Sequence, residues 1–93
     1  MVRERTQRIG VEAQCWLLTA FAELNRATPL PLEVHEQLQL AIKMRHRERI
    51  ARALEAAEES LGELNVLARR LAEAVRFGEY STVRRLVFEI GRT

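Results

Sequence analysis

The chain has 93 residues, 47% of them hydrophobic and 30% charged, with a formal net charge of +2. That balance is too apolar for a disordered chain, and the excess of Ala, Leu, Glu and Arg favours helix over sheet. The small surplus of arginine is no basic tail, so charge alone excludes few partners. One small helical domain spanning residues 1–93 is expected. Cys15 is the only cysteine, so the fold uses no internal disulfide. It lies in an apolar stretch, where a free thiol acts as a small buried hydrophobe. No apolar run reaches the roughly 18 residues of a membrane span. Met1–Gly10 is polar and Arg-rich, unlike a secretion signal, and a cytoplasmic protein is expected.

The first predicted helix runs from about Thr6 to Asn25. Ile9, Ala13, Trp16, Leu17, Ala20, Phe21 and Leu24 share one of its faces at helical spacing. Trp16 and Phe21, the bulkiest apolar groups, should anchor the core. Asn25 to Pro31 is the clearest break, because Pro29 and Pro31 remove donors and push their predecessors out of helix. Pro31 suits the opening of the next helix, and Glu33 and Glu36 complement its dipole.

Leu32 to Phe77 contains no proline and one glycine, Gly62. As a single helix it would span about 69 Å at 1.5 Å per residue. Its apolar stripe changes direction, however. Val34, Leu38, Ala41 and Ile42 define one stripe. Ile50, Leu54, Ala57, Leu61, Leu64, Ala68, Leu71 and Val75 define another, about 120° away. The mostly polar residues 43–49 between them mark a kink, a break or a change of partner. The second stripe alternates steps of four and three, the seam of helix on helix as in a coiled coil. It passes through Gly62 in register, which argues for continuity there, whereas Ser60 and Glu63 fit a capping box that would open a new helix near 60–62.

Gly78 ends the long segment as a C-cap glycine. Ser81 is placed to cap a last helix, 81–91, with Val83, Leu86, Val87 and Ile90 on one side. The short turn Gly78-Glu79-Tyr80 folds it back. No internal repeat with a period of 20–50 residues is visible. The fold expected is all-α: a three- to four-helix bundle with a long central helix and a short folded-back C-terminal helix, assembled as an oligomer.

Charge is segregated. Lys43, Arg45, Arg47, Arg49 and Arg52 stand against Glu48 alone, and Glu55, Glu58, Glu59 and Glu63 follow. Two such segments pairing antiparallel about residue 53 would set each basic block against an acidic one, orienting a homodimer more than strengthening it. The alternative is a solvated face.

His35 and His46 have no Cys or His at ligand spacing, and His46 sits among arginines that repel cations, so no metal site is expected. No catalytic residue and no cofactor-binding motif is found: the glutamates fall on polar faces, Ser60 and Ser81 suit caps, and there is no glycine-rich phosphate loop. Clustered Arg within 43–52 is a candidate for phosphate contact, though no aromatic residue is interleaved for base stacking.

The segment Leu71-Ala72-Glu73-Ala74-Val75 followed by Ser81-Thr82-Val83-Arg84-Arg85-Leu86 resembles a bacterial helix-turn-helix unit. The resemblance implies that Ser81, Thr82, Arg84 and Arg85 face the major groove. The turn here is a residue longer than in that family and its glycine falls late. Gly78-Glu79-Tyr80 also resembles the turn of a tetratricopeptide hairpin, although Val83 stands where that family has a small residue. The function expected is a non-enzymatic protein-interaction module that buries its Ile50–Val75 seam against a helical partner or a second copy. A small DNA-binding or regulatory protein is the alternative.

Overall fold

The computed structural model describes residues 8–92, and among these all regular structure is helical. Five α-helices follow one another: α1 (Val11–Ala27), α2 (Leu32–Met44), α3 (Arg47–Ala57), α4 (Asn65–Arg76) and α5 (Tyr80–Gly91). Two single 3-10 turns, Glu58–Ser60 and Gly62–Leu64, join α3 to α4. Consecutive helices pack on each other, and α1 packs on α5 as well as on α2, so the contacts close a circuit.

The expected start at Thr6 lies outside the described residues. Ile9 is not helical: it precedes α1 in extended backbone and its N–H donates to the Arg45 carbonyl at 3.0 Å. It is nonetheless buried. At the other end, the Asn25 side chain accepts from the Leu30 N–H at 3.0 Å and fastens the proline turn. Helix α2 then starts at Leu32, with the His35 N–H donating to the Pro31 carbonyl.

The long central helix is not formed. A straight 69 Å rod would exceed the longest dimension of the molecule, 39 Å. The chain breaks at both expected places. At the first, Arg45 adopts left-handed backbone with φ 57°. Its N–H donates to the Ile42 carbonyl at 3.0 Å, and the His46 N–H donates to the Ala41 carbonyl at 3.3 Å. This is the double-bonded helix stop that usually carries glycine. His46 then caps α3, its Nδ1 accepting from the Arg49 N–H at 3.2 Å. At the second, the 3-10 turns reverse the chain around Gly62, φ 55°. No side-chain cap forms there, so the Ser60–Glu63 box is not what stops the helix.

The same stop recurs after α4. Gly78 has φ 72°, the Gly78 N–H donates to Val75 and the Glu79 N–H donates to Ala74. The match is not confined to the turn. Leu32 and Asn65 open the first helices of two hairpins 33 residues apart, and Arg47 and Tyr80 open the second helices at the same spacing. Buried positions coincide: Leu38 with Leu71, Ala41 with Ala74, Ile42 with Val75, Ile50 with Val83, Leu54 with Val87 and Ala57 with Ile90. Helices α2–α3 and α4–α5 are thus two copies of one structural unit. The absence of a repeat expected from the sequence is corrected. Repetition lies in side-chain size and backbone geometry, which letter-by-letter comparison does not register.

The core runs through all five helices. Phe21 is part of it, whereas Trp16 is only half-buried, packed between α1 and α5 against Phe88 with ring centroids 5.9 Å apart. Cys15 is exposed rather than buried, because it falls on the outward side of α1.

Candidate functional site

All eight seam residues are buried: Ile50, Leu54, Ala57, Leu61, Leu64, Ala68, Leu71 and Val75 each expose 5% or less. What covers them is the chain itself. Helices α3 and α4 run antiparallel, as their ion pairs show. Arg76 at the end of α4 donates to Glu55 at 2.7 Å and to Glu48, near the start of α3, at 3.1 Å. Arg69, near the start of α4, bonds Glu58, just past the end of α3, at 3.1 Å. The seam is therefore closed within one chain, by folding the stripe at Gly62 so that its two halves face each other. A partner would reach the seam only by displacing α3 or α4.

The charged blocks divide accordingly. Glu48, Glu55 and Glu58 answer arginines of α4, and Glu48 also pairs with Arg52 of its own helix. Hydrogen bonds from Arg76 hold the carboxyls of Glu48 and Glu55 below their usual range, outweighing the opposing effect of burial. The same bonds raise the Arg76 pKa. Glutamates tuned this way stay ionised and are poor proton donors near neutral pH.

The basic run does not form one face. Arg47 turns inward against the second hairpin: its Nη2 donates to the Tyr80 hydroxyl at 2.9 Å, and its Nε is buried with no partner among the described residues. Arg45 is spent in the left-handed turn, and Lys43 is exposed at the end of α2. Arg49 and Arg52 lie on the opposite side of α3 from Arg47, beside α2. Arg52 is paired with Glu48 of its own helix, at 3.4 Å. The Arg49 guanidinium has no ion pair among the described residues.

Between α2 and α3 these two arginines flank a groove of about 250 Å³ floored by Ala41 and Ala53, with Leu40 and Met44 on its wall. Leu40 is 54% exposed and Met44 45%. They are one helical turn apart and off the core-facing stripe of α2. The repeat supplies an internal comparison. At the position equivalent to Leu40, the second hairpin carries the exposed charge Glu73. The fold therefore does not require an apolar side chain there.

Of the residues assigned to the helix-turn-helix resemblance, Ser81, Arg84 and Arg85 are exposed on α5 and Thr82 is half-buried. The Arg84 guanidinium lies over the Trp16 ring, 5.5 Å from its centroid. His35 packs against Phe21 with the rings tilted by 53°, centroids 4.8 Å apart. No group of three or more His, Cys, Asp or Glu side chains is placed to hold a metal among the described residues. None of the described helices is long and apolar enough to cross a membrane.

No protein-family model, curated protein or solved structure matches the chain. The sequence reading missed the α2–α3 groove. Its signal was present: Leu40 and Met44 fall on the side of their helix away from Val34, Leu38 and Ile42, where a solvated helix would carry charge.

Proposed function

We propose that this protein is a non-enzymatic interaction module that seats an acidic amphipathic helix of a partner protein in the α2–α3 groove. The observation that carries this is Leu40 and Met44 standing exposed beside Arg49 and Arg52 along the groove, with Leu40 at a position where the paired hairpin has the charged Glu73. A helix laid in a groove presents apolar anchors at turn spacing, and methionine adapts to varied anchors. Carboxylates flanking those anchors would meet Arg49, which has no ion pair among the described residues, and Arg52, whose pairing with Glu48 is solvent-exposed. Attraction of this kind fixes orientation and hastens encounter more than it adds affinity. The interaction reading drawn from the sequence is kept, but moved from the self-covered Ile50–Val75 seam to this groove.

The test is fluorescence anisotropy with designed helical peptides sharing one apolar face and differing in acidic, neutral or basic flanks. The acidic peptide should bind tightest. Leu40→Asp should abolish its binding, and Arg49→Glu with Arg52→Glu should reverse the preference. Equal binding of all three peptides, or an unaffected Leu40→Asp variant, contradicts the proposal.

Nucleic-acid binding through α5 is a second reading. Support for it comes from Ser81, Arg84 and Arg85 on one outward face with Phe88, which is 56% exposed. Arginines beside an exposed ring suit a phosphate backbone with a stacked base. Arg84→Ala with Arg85→Ala should then lower retention on single-stranded and duplex DNA in low salt. No retention by the parent protein removes this reading.

A further inference from the structure

The two hairpins share a framework between their helices but not the same filling. Ala41 and Ala74 stand at equivalent places on α2 and α4, and both are buried. Met44 and Phe77 are equivalent too, and both are exposed apolar groups. On the facing helices the residues differ in size. Ala53 of α3 corresponds to Leu86 of α5, and both are buried. Ala53 lies about 40° round its helix from the core residue Ala57 on one side and from Arg49 on the other. It therefore stands at the edge of the core on the α2 side, where it lines the groove. Leu86 holds the same place on α5, between Ile90 and Thr82. The methylene and methyl groups that separate leucine from alanine are the ones missing from the first hairpin.

The groove's size and lining narrow what fills it. Small-molecule pockets run to about 300–1,000 Å³, and this groove offers about 250 Å³. Its floor, Ala41 and Ala53, carries no side-chain donor or acceptor. A polar group lowered onto it would give up its hydrogen bonds to water without replacement. These conditions select one aliphatic side chain, borne on a larger body that rests on the rim.

We propose that the α2–α3 groove is a socket for a single leucine side chain of the partner helix, and that Ala53 sets its depth and its specificity. The inference rests on the reading of the groove as a docking site and adds what enters it. The partner's leucine supplies to the first hairpin the apolar volume that Leu86 supplies to the second. Leu40 and Met44 flank it, and Arg49 and Arg52 meet carboxylates on either side of the anchor.

Fluorescence anisotropy with one acidic helical peptide, varied only at its central anchor, tests this on the full chain. The parent protein should bind the leucine peptide about tenfold or more tighter than the alanine peptide or the similarly shaped asparagine peptide, as one buried aliphatic side chain requires. Ala53→Leu should abolish that preference, leaving the leucine and alanine peptides equally weak, because the socket is then filled from within. The same variant should melt at or above the parent temperature, since the fold already accepts leucine at position 86. Equal binding of the leucine and alanine peptides to the parent overturns the socket. So does an Ala53→Leu variant that keeps the preference for leucine or melts clearly below the parent. If either result comes with binding that Leu40→Asp still abolishes, the groove stands as a docking surface and only the socket falls. No measurable binding of any peptide to the parent overturns both readings.

Discussion

Replacing Arg45 with glycine should stabilise the protein. In the structure Arg45 holds φ 57°, a region in which an L-residue other than glycine is strained by roughly 1–2 kcal/mol. Glycine relieves that strain but loses more backbone freedom on folding, about 0.5–1 kcal/mol. Both hydrogen bonds of the stop, Arg45 N–H to Ile42 and His46 N–H to Ala41, are made by the backbone and survive the change. A net gain of up to about 1.5 kcal/mol follows, worth roughly 4–8 °C in Tm per kcal/mol for a domain of this size. Circular dichroism melts of the parent and Arg45→Gly proteins measure it directly. The sign is diagnostic: were residues 32–57 one continuous helix, glycine at its interior would destabilise by about 1 kcal/mol. Gly78→Ala supplies the converse, because a Cβ there meets only ordinary contact with Arg47 at 3.8 Å yet must hold φ 72°. It should cost about 1–2 kcal/mol. A lowered Tm for Arg45→Gly, or an unchanged one for Gly78→Ala, refutes the paired-stop account of the two hairpins.

Other outcomes follow from the same packing. Leu71→Ala, at a fully buried seam position, should cost about 2–5 kcal/mol by denaturant titration. Leu64→Asp should unfold the chain rather than dissociate an assembly, since it buries a carboxylate within a single core; a folded variant by circular dichroism contradicts this. Arg76→Met should cost less than about 1 kcal/mol at neutral pH, because the Glu48 and Glu55 side chains it pairs with are both 41% exposed. Their carboxyls are held below the ordinary value of 4.5, so their stabilisation is complete above that value and is lost as pH falls through the lowered one. Acid titration of stability should therefore be shallower in Arg76→Met than in the parent below about pH 4.5, and equal slopes would argue against the Arg76 clamp.

Sequence patterns exposed some of this and hid the rest for physical reasons. The proline turn and the apolar face of the last helix were legible because Pro29, Pro31, Gly78 and the Val83–Ile90 spacing constrain the backbone or the packing locally. The Ile50–Val75 stripe was legible as a buried surface but not as a hairpin. A stripe keeps its register whether the rod is straight and meets another rod, or folds at Gly62 and meets itself. The Arg45 stop was hidden because an arginine occupies a conformation that glycine usually marks. The 33-residue repeat was hidden because only Leu38/Leu71, Ala41/Ala74 and Arg52/Arg85 are identical across it. The apolar side chains at Cys15, Leu18, Leu40 and Met44 are outward-facing. Composition does not tell an outward hydrophobe from a core one; helical periodicity does, as the placement of Leu40 and Met44 away from Val34, Leu38 and Ile42 shows.

Isotope-filtered nuclear Overhauser spectroscopy on a mixture of labelled and unlabelled chains would show most directly whether the seam closes within one chain. Contacts from the methyl groups of Ile50 and Leu54 to those of Leu71 and Val75 should be strong in the uniformly labelled protein and missing from the interchain-filtered spectrum. Their presence in the filtered spectrum would mean that another copy supplies the second helix, and the folded-back hairpin would be wrong.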